Sequence, residues 1–403
     1  MQTGIASRLG RVACAAFLAM AGGFCSPTAS RAAEESPPAP AHVLQRIRRH
    51  TFHPLHEGFT KDAMLDRHGI ADLANDDWLV RTLAVRDLVL VGLPGIPAVV
   101  DALNDDNLHV RQVCTLVLGI LPISDATPET RSALRQALEE RLKSDPEPVV
   151  RSEAAIALGR LGDRSSLDRL ADAAKDDSSR DVRHQCTLAV DRISKEVSDG
   201  MLFEAYRSLD ESTFNTVAVG RPAGDFTLRD TDGNPWTLSD YRGKKHVVLI
   251  WIFADWCPVC HGEFHELLEM QPEFADAQVE VVTIQCHEPY RCRVMVGQEL
   301  VPQYWFAKQQ APQVRYRQGL WWRHLSDPAG AVGATYGVQP LAFSVHSEYI
   351  NRPATVIVDK DGVVRFAYYG TYWGDRPTIR QTLNMLRSGE FAFEHPKRLH
   401  AIP

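Results

Sequence analysis

The sequence predicts a multidomain protein in which an α-helical solenoid precedes an α/β sandwich. The 403 residues are too many for one ordinary hydrophobic core. A helical pattern carrying the dipeptide Val-Arg recurs between residues 75 and 195, which indicates a repeat architecture. Between residues 218 and 392 apolar, strand-like runs alternate with helix-like segments, as is typical of an α/β fold.

Residues 1–33 have the order of a signal peptide. Two arginines precede the apolar run 12–20, and small residues follow it, so we expect cleavage after Ala32 or Ala33. A lipid anchor at Cys25 is the alternative, and the bulky residue before this cysteine disfavours it. The mature protein is therefore predicted to be periplasmic or secreted, where cysteines pair or exchange more readily than in the cytosol.

The next segment, residues 34–74, is predicted to be a linker and N-terminal extension. Its first part is rich in proline, which prevents helix and central strand formation. His50, His53 and His56 lie here without a carboxylate or cysteine at coordinating spacing, so we expect surface histidines and no metal.

Charge and hydropathy exclude two classes of partner. The net charge of −7 argues against nucleic-acid binding, which needs a concentrated basic face. After the leader no run of eighteen apolar residues occurs, so no membrane span is expected in the mature chain. The sequence predicts no cofactor.

The repeat region, residues 75–195, contains four units of similar pattern. Their shared residues are Asp77…Val80-Arg81…Ala84, Asp106…Val110-Arg111…Cys114, Asp145…Val150-Arg151…Ala154 and Asp177…Val182-Arg183…Cys186. An amphipathic stretch lies on each side of the Val-Arg, which predicts two helices joined by a turn in every unit.

This pattern resembles HEAT-type repeats, in particular the short variety found in PBS-lyase-like proteins. The resemblance implies that the aspartates and arginines pair along the stack and that small residues let neighbouring helices approach. Cys114 and Cys186 occupy the place of Ala84 and Ala154, so we expect buried small residues there. A solenoid of this kind offers a surface for a protein partner.

A linker at residues 196–217 is predicted to lead into the α/β region. A hairpin is expected around Asp232-Gly233, and strands are expected at 246–253, 279–285, 354–359 and 363–369. Helices are expected near 258–275, 328–336 and 376–388. Residues 393–403 are predicted to be a C-terminal tail.

Directly after the predicted strand 246–253 comes the dithiol Cys257-Pro-Val-Cys260. Two cysteines separated by two residues at a helix start can close a disulfide across one turn. Helix-start amide groups and the helix dipole favour the thiolate of Cys257, which makes it the expected attacking group. Cys260, one turn further, would then resolve the mixed disulfide. Pro258 suits the first helical turn.

This stretch resembles the redoxin branch of the thioredoxin superfamily, the AhpC/TSA-like and TlpA-like proteins. Further similarities are the Phe226 hairpin, Leu325-Ser-Asp-Pro-Ala-Gly330, Tyr336-Gly-Val338 and Pro353-Ala-Thr-Val-Ile-Val-Asp-Lys-Asp-Gly362. The resemblance implies a thioredoxin-like sandwich in which Pro353 is the cis-proline whose backbone helps to hold the substrate. Trp256 and Pro258, beside Cys257, are the other residues expected to contact substrate.

Two departures from this family pattern affect the expected chemistry. Thioredoxin has a buried acid six residues before its first cysteine, and that place is Trp251 here. Proton transfer at Cys260 then needs another group, with Glu263 or water as candidates. The chain between Val338 and Pro353 is also longer than in compact thioredoxins and resembles the peroxiredoxin-like arrangement.

A thiol-dependent peroxidase is the first alternative function. Peroxiredoxins carry a threonine or serine three residues, and a proline seven residues, before the peroxidatic cysteine. Before Cys257 those places hold Ala254 and Ile250. Arg352 is the candidate oxyanion partner.

Haem and zinc are weaker alternatives that use the same cysteines. Cys257-Pro-Val-Cys-His261 matches the pattern of c-type haem attachment, but the adjoining strand and helix would bury the attachment site. Zinc binding through these cysteines with His261 and His265 is sterically poor on one helical face.

Cys286 and Cys292 form a second candidate pair. They are predicted to form a structural disulfide, with a relay pair and two separate thiols as the alternatives.

These observations predict an exported thiol–disulfide oxidoreductase with Cys257 and Cys260 as its catalytic residues. Its expected partners are protein thiols and disulfides and a separate reductant, with a protein partner at the repeats. A non-catalytic interaction protein that keeps the redoxin fold is the competing class.

Overall fold

The computed structural model describes residues 68–197, 201–301, 316, 319–346, 348–372 and 374–393. It confirms the predicted fold class, because a helical repeat solenoid is followed by a mixed α/β sandwich. The predicted signal peptide, Cys25 and the histidines at 50, 53 and 56 lie outside the described residues.

Short helices joined by turns make up the repeat region. In chain order they are α1 (His68–Ala71), α2 (Trp78–Val91), α3 (Ile96–Asp101), α4 (Leu108–Ile120), α5 (Pro128–Ser144), α6 (Pro148–Leu161), α7 (Leu167–Asp176) and α8 (Arg180–Ser194). Helices α2, α4, α6 and α8 each begin just before a Val-Arg dipeptide, and α4, α6 and α8 pack side by side.

Charged side chains connect successive repeats, as the HEAT resemblance implies. Arg111 donates to Asp145 of the next repeat from Nε and Nη2 at 2.8 and 3.0 Å. Arg151 donates in the same way to Asp177 at 2.8 and 2.9 Å. Both pairs are largely removed from water, so the two-point geometry compensates part of the desolvation cost.

The register of the first two repeats differs from the prediction. In every repeat, the side chain six residues before the arginine accepts a hydrogen bond from the backbone N–H two residues later, as Asp145 and Asp177 do in the last two repeats. In the first two repeats this side chain belongs to Asn75 and Asp105, rather than to Asp77 and Asp106. The sequence has neighbouring polar residues with side-chain oxygens at these turns, and only the turn geometry distinguishes them.

Small residues bring the repeat helices into close contact. A Cβ atom at Gly119 would lie 2.8 Å from the Cα and Cβ atoms of Ala157 on the neighbouring helix. Cys114 and Cys186 are fully buried, which confirms their predicted packing role. Burial raises the pKa of the Cys186 thiol to about 12 and holds Cys114 in its neutral form as well.

Part of the predicted linker 196–217 is helical. Helix α9 (Met201–Arg207) buries Leu202 and Tyr206 and contacts α2. This segment therefore contributes to the packing between the repeats and the rest of the chain.

The C-terminal region is built on a seven-stranded sheet with the order β2-β1-β5-β4-β3-β8-β9. Its strands are β1 (Thr227–Asp230), β2 (Pro235–Thr237), β3 (His246–Trp251), β4 (Val279–Gln285), β5 (Arg323–Ser326), β8 (Ala354–Val358) and β9 (Val364–Tyr369). A separate hairpin consists of β6 (Phe343–Val345) and β7 (Glu348–Ile350). Strands β3, β4 and β5 run parallel, and β8 is antiparallel to β3.

Helices cover the sheet and two apolar cores lie on its faces. The helices are α10 (Pro258–Glu269), α11 (Gln271–Asp276), α12 (Pro289–Met295), α13 (Ala331–Thr335) and α14 (Ile379–Ser388). Alternation along β3 places Val248 and Ile250 in one core with Phe264, and Val247 and Leu249 in the other.

The predicted elements are present, with some differences at their ends. The expected helix 258–275 is two helices that meet at Met270, and the last helix begins after the cap Thr378 rather than at 376. Strand β5, the hairpin β6–β7 and helix α12 were not predicted, because these short segments lack a clear apolar period.

Among the described residues no single helix is both long and apolar enough to cross a membrane. Trp78–Val91 and Leu93–Asn104 reach the required length together, but they bend by 107° relative to each other.

Candidate active site

The predicted dithiol lies at the carboxyl end of the central strand β3. Cys257 is the N-cap of α10 and Pro258 is the first residue of that helix. The Cys260 backbone N–H points at Cys257 Sγ, 3.4 Å away, and the Phe253 N–H points at Cys260 Sγ, also 3.4 Å away. Cys257 and Cys260 are both thiols in this structure. Local sequence is sufficient for this geometry, because a buried strand and a proline at N1 determine where the helix begins.

Both cysteines are completely buried, each with an exposed fraction of 0 %. Trp256, the residue before Cys257, belongs to the same apolar core and is 5 % exposed. Pro258 is exposed, whereas Pro353 is buried. Pro353 directly precedes β8, whose first residue Ala354 pairs with Trp251 at the end of β3. This pairing places Pro353 at the same end of the sheet as the dithiol.

The two thiols have different electrostatic surroundings. Burial, together with a hydrogen bond to Cys260, raises the pKa of the Cys257 thiol well above its ordinary value. Burial also opposes ionisation of Cys260, but the hydrogen bond from Cys257 and the charge of Arg376 outweigh it and lower the pKa of Cys260. The cation of this site therefore lies beside Cys260, and the expected preference for a Cys257 thiolate stays a prediction.

Arg376 is the functional side chain that sequence reasoning missed. Its Nη2 lies 3.6 Å from Cys260 Sγ, and Nη1 donates to the Trp251 carbonyl at 2.6 Å. Nε donates to Glu263 Oε1 at 2.6 Å, and Nη2 contacts the second oxygen of the same carboxylate. The side chain is 1 % exposed. No local motif marks this arginine, because 116 residues separate it from Cys260.

Glu263 and Arg352 are the two groups that the sequence suggested as aids to the dithiol. Glu263 contacts Arg376, and through it influences Cys260. The arginine beside Cys260 is Arg376. The backbone N–H of Arg352 donates to the Gln339 carbonyl, and the expected role of its side chain stays a prediction.

A buried network connects the loop before Cys257 to the rest of the fold. Asp255 forms a salt bridge with Arg291 of α12, with an N–O distance of 2.6 Å. Arg291 also contacts Glu348 of β7 at 3.1 Å, and Glu348 contacts His287 at 3.2 Å. All four side chains are buried, so this polar network orders the loop without competing water.

The hairpin β6–β7 lies between the dithiol and the solenoid. The His346 ring packs edge-on against Trp256 with a centroid distance of 4.9 Å. Solenoid side chains hold the hairpin from the other side: Gln112 contacts Ser344 at 3.3 Å, Asp181 contacts His346 at 3.3 Å and Gln185 contacts Glu348 at 2.7 Å. The repeat helices α4 and α8 therefore contact the segment that covers Trp256.

The histidines of the weaker alternatives have local partners. The His261 ring nitrogens contact the Tyr316 hydroxyl at 2.7 Å and the Asp255 carbonyl at 2.6 Å. The His265 ring packs near Tyr316. Among the described residues no group of three histidine, cysteine or acidic side chains has an arrangement that would hold a metal ion.

Cys286 and Cys292 lie on either side of His287. Cys286 Sγ is 4.0 Å from His287 Nδ1, and Cys292 Sγ points at the His287 carbonyl at 3.7 Å. Both are thiols in this structure, and burial raises the pKa of Cys292. The second disulfide stays a prediction.

The fold and the helix-start dithiol define a thioredoxin-like redoxin with a repeat region before it. The sequence profile of the AhpC/TSA family matches residues 219–367, and the profile of HEAT repeats matches residues 126–191. The chain belongs to the AhpC/TSA family.

The curated relatives include an alkyl hydroperoxide reductase and a thiol-disulfide oxidoreductase. Alkyl hydroperoxide reductase E of Mycobacterium tuberculosis is 32 % identical over 151 residues, which cover 37 % of this chain and 83 % of that protein. Thiol-disulfide oxidoreductase ResA of Geobacillus thermodenitrificans is 29 % identical over 171 residues, which cover 42 % of this chain and 79 % of that protein. A solved structure, peroxidoxin BcpB of Mycobacterium tuberculosis, aligns with a TM-score of 0.34 at 23 % identity, covering 43 % of this chain and 97 % of that one.

Proposed function

We propose that this chain is a thiol–disulfide oxidoreductase whose reacting groups are Cys257 and Cys260. The observation that carries the proposal is the pair itself: two thiols one helical turn apart, with the Cys260 sulfur next to a buried arginine. An arginine beside a thiol favours the thiolate, which is the form that exchanges with disulfides. The similarity to ResA, a thiol-disulfide oxidoreductase by name, supports the same reaction.

The reaction proceeds in two exchanges. The Cys257 sulfur attacks one sulfur of a substrate disulfide, so that a mixed disulfide forms and one substrate thiolate leaves. Cys260 then attacks the Cys257 sulfur, forms the Cys257–Cys260 disulfide and releases the second substrate thiolate. Two electrons pass from the dithiol to the substrate, and a separate dithiol reductant must return them.

The test is reduction of insulin by the full chain with dithiothreitol as electron source. We expect Cys257→Ser to abolish the accelerated reduction and Cys260→Ser to accumulate a mixed disulfide through Cys257. Cys186→Ser is a matched control, because this buried solenoid cysteine has a packing role. Unchanged insulin reduction by Cys257→Ser would contradict the proposal and support a non-catalytic interaction protein.

A peroxidase is the second candidate, favoured by the 32 % identity to an alkyl hydroperoxide reductase. The threonine or serine and the proline expected before a peroxidatic cysteine are absent, since Ala254 and Ile250 occupy those places. Peroxide consumption coupled to dithiothreitol oxidation distinguishes the two candidates. Turnover of hydroperoxide that exceeds insulin reduction and depends on Cys257 would establish the peroxidase.

Export and a partner at the repeats belong to this proposal as well. The sequence read from the N-terminus of protein recovered from the periplasm of a bacterial host should begin after Ala32 or Ala33.

Helices α4 and α8 contact the hairpin of the chain's own redoxin region, so a protein partner would bind the repeats elsewhere or displace that hairpin.

A further inference from the structure

Arg376 belongs to the last segment of the chain, yet its guanidinium lies inside the dithiol site. Three backbone and side-chain acceptors hold it there: the Trp251 carbonyl and the two carboxylate oxygens of Glu263. Arginine stays protonated in proteins, so this site has a permanent positive charge. The Trp251 contact is notable because Trp251 occupies the place of the buried acid in thioredoxin.

The charge faces Cys260 and not solvent. Nη2 is 3.6 Å from Cys260 Sγ, a distance at which a thiolate is stabilised electrostatically, most strongly where water is excluded. The charged and titratable groups that act on this sulfur are Cys257, Arg376 and Glu263. Glu263 opposes the thiolate, but it is already paired with Arg376.

We infer that Arg376 is a positioning residue that holds Cys260 as a thiolate in the reduced dithiol, so that Cys260 is ready to attack Cys257 once the mixed disulfide has formed. The inference rests on the proposed function for its substrate, but the ionisation of Cys260 is a property of the chain alone.

The proposed step balances in protons and electrons. Cys257 loses its proton to solvent, its sulfur forms the mixed disulfide, and one substrate thiolate leaves. The Cys260 thiolate, stabilised by Arg376, then attacks the Cys257 sulfur, so the mixed disulfide breaks and the second substrate thiolate leaves. The chain thus replaces an acid with a cation that stabilises one of its own thiolates.

The test measures thiolate absorbance at 240 nm against pH in the reduced full chain. Cys260→Ser identifies which part of the titration belongs to Cys260. Arg376→Gln should decrease the Cys260 thiolate fraction about tenfold at pH values below the midpoint, which is a shift of about one pH unit. Arg376→Lys should restore part of that fraction, because it keeps the charge without the forked geometry.

A second variant changes the same quantity in the opposite direction. Glu263→Gln removes the carboxylate that neutralises Arg376, so it should increase the Cys260 thiolate fraction. A purely structural role for the Arg376–Glu263 pair predicts that both variants disturb the site in the same direction. Arg380→Gln is the matched control, since this exposed arginine pairs with Glu273 on the neighbouring helix surface.

The inference is overturned if Arg376→Gln and Glu263→Gln leave the Cys260 titration unchanged or shift it in the same direction. If Arg376→Gln does not fold, Arg376→Lys takes its place. The Cys260 thiolate fraction should then be lower than in the wild type for Arg376→Lys and higher for Glu263→Gln, and shifts in the same direction overturn the inference. Opposite shifts in a protein that fails to reduce insulin would support the inference and refute the proposed function.

Discussion

The Gln185 side-chain amide donates to Glu348 Oε1 at 2.7 Å, and this contact joins repeat helix α8 to strand β7 of the hairpin over the dithiol. Both side chains are buried, with exposed fractions of 1 and 3 %. A hydrogen bond to a charged group in such a position contributes about 1.5–3 kcal/mol. The solenoid therefore helps to keep the hairpin in place over Trp256.

Replacing Gln185 with alanine should make the dithiol more accessible. Because Cys257 has no exposed surface, its alkylation requires that neighbouring groups move, and the hairpin residue His346 packs against Trp256 beside it. Gln185→Ala weakens the attachment of the hairpin, so alkylation of Cys257 by iodoacetamide under native conditions should become severalfold faster. Mass spectrometry of the Cys257 peptide measures this rate. Gln136→Ala, on the exposed face of α5, is the control, and equal rates for the two variants would refute the coupling.

The Arg111–Asp145 pair should contribute more to stability than pairs on the surface. Asp145→Asn keeps the shape and the acceptor oxygen but leaves Arg111 charged in a buried place. Loss of one partner from a buried pair costs about 3–5 kcal/mol of unfolding free energy. Glu204→Gln, which removes a mostly exposed pair with Arg207, should cost less than about 1 kcal/mol. Urea denaturation of the two variants measures both costs. Similar costs would show that the buried Arg111–Asp145 pair contributes no more to stability than an exposed pair does.

The contact between α4 and α6 should not tolerate one extra methyl group. A Cβ at position 119 would lie 2.8 Å from Ala157, so Gly119→Ala must push two backbones apart at a cost of about 1–3 kcal/mol. Gly262, in the exposed part of α10, has open space around it, and Gly262→Ala should instead stabilise by about 0.5–1 kcal/mol. Thermal unfolding compares the two. A stabilising Gly119→Ala would mean that the helices are less closely packed than described.

Glu153 should make stability depend on pH between 5 and 8. Burial raises the pKa of this carboxyl to about 8 in the folded chain, against an ordinary value of 4.5. Folding therefore takes up a proton, and the unfolding free energy falls as the pH rises from 4.5 through 8. Glu153→Gln has no carboxyl to ionise, so its free energy of unfolding does not fall in this way. The variant should therefore be more stable than the wild type at pH 8.5 by about 1 kcal/mol or more, and equal to it near pH 4.5.

The measurement is urea denaturation of wild type and Glu153→Gln at several pH values. Glu140→Gln, an exposed position on α5, provides the control for the loss of one negative charge. A difference between wild type and Glu153→Gln that does not change with pH would contradict the raised pKa.

Sequence by itself determined the features that depend on local pattern. Strand β4 was predicted with its observed ends, and Cys257 was predicted at a helix start, because apolar runs and a proline at N1 act within a few residues. The Val-Arg pattern located Arg111 and Arg151, which connect successive repeats as the resemblance implied, whereas Arg81 donates to the Leu341 carbonyl. The register was wrong in the first two units, because neighbouring polar residues carry the same local signal.

Only the tertiary structure decided how the dithiol is charged and covered. Arg376 reaches Cys260 from 116 residues away, and the hairpin β6–β7 meets the solenoid through contacts that no local period encodes. Thiol ionisation depends on burial and on the distance to a charge, and both exist only once the chain has folded. For that reason the sequence located both cysteines, whereas only the packed site shows that a buried arginine lies beside Cys260.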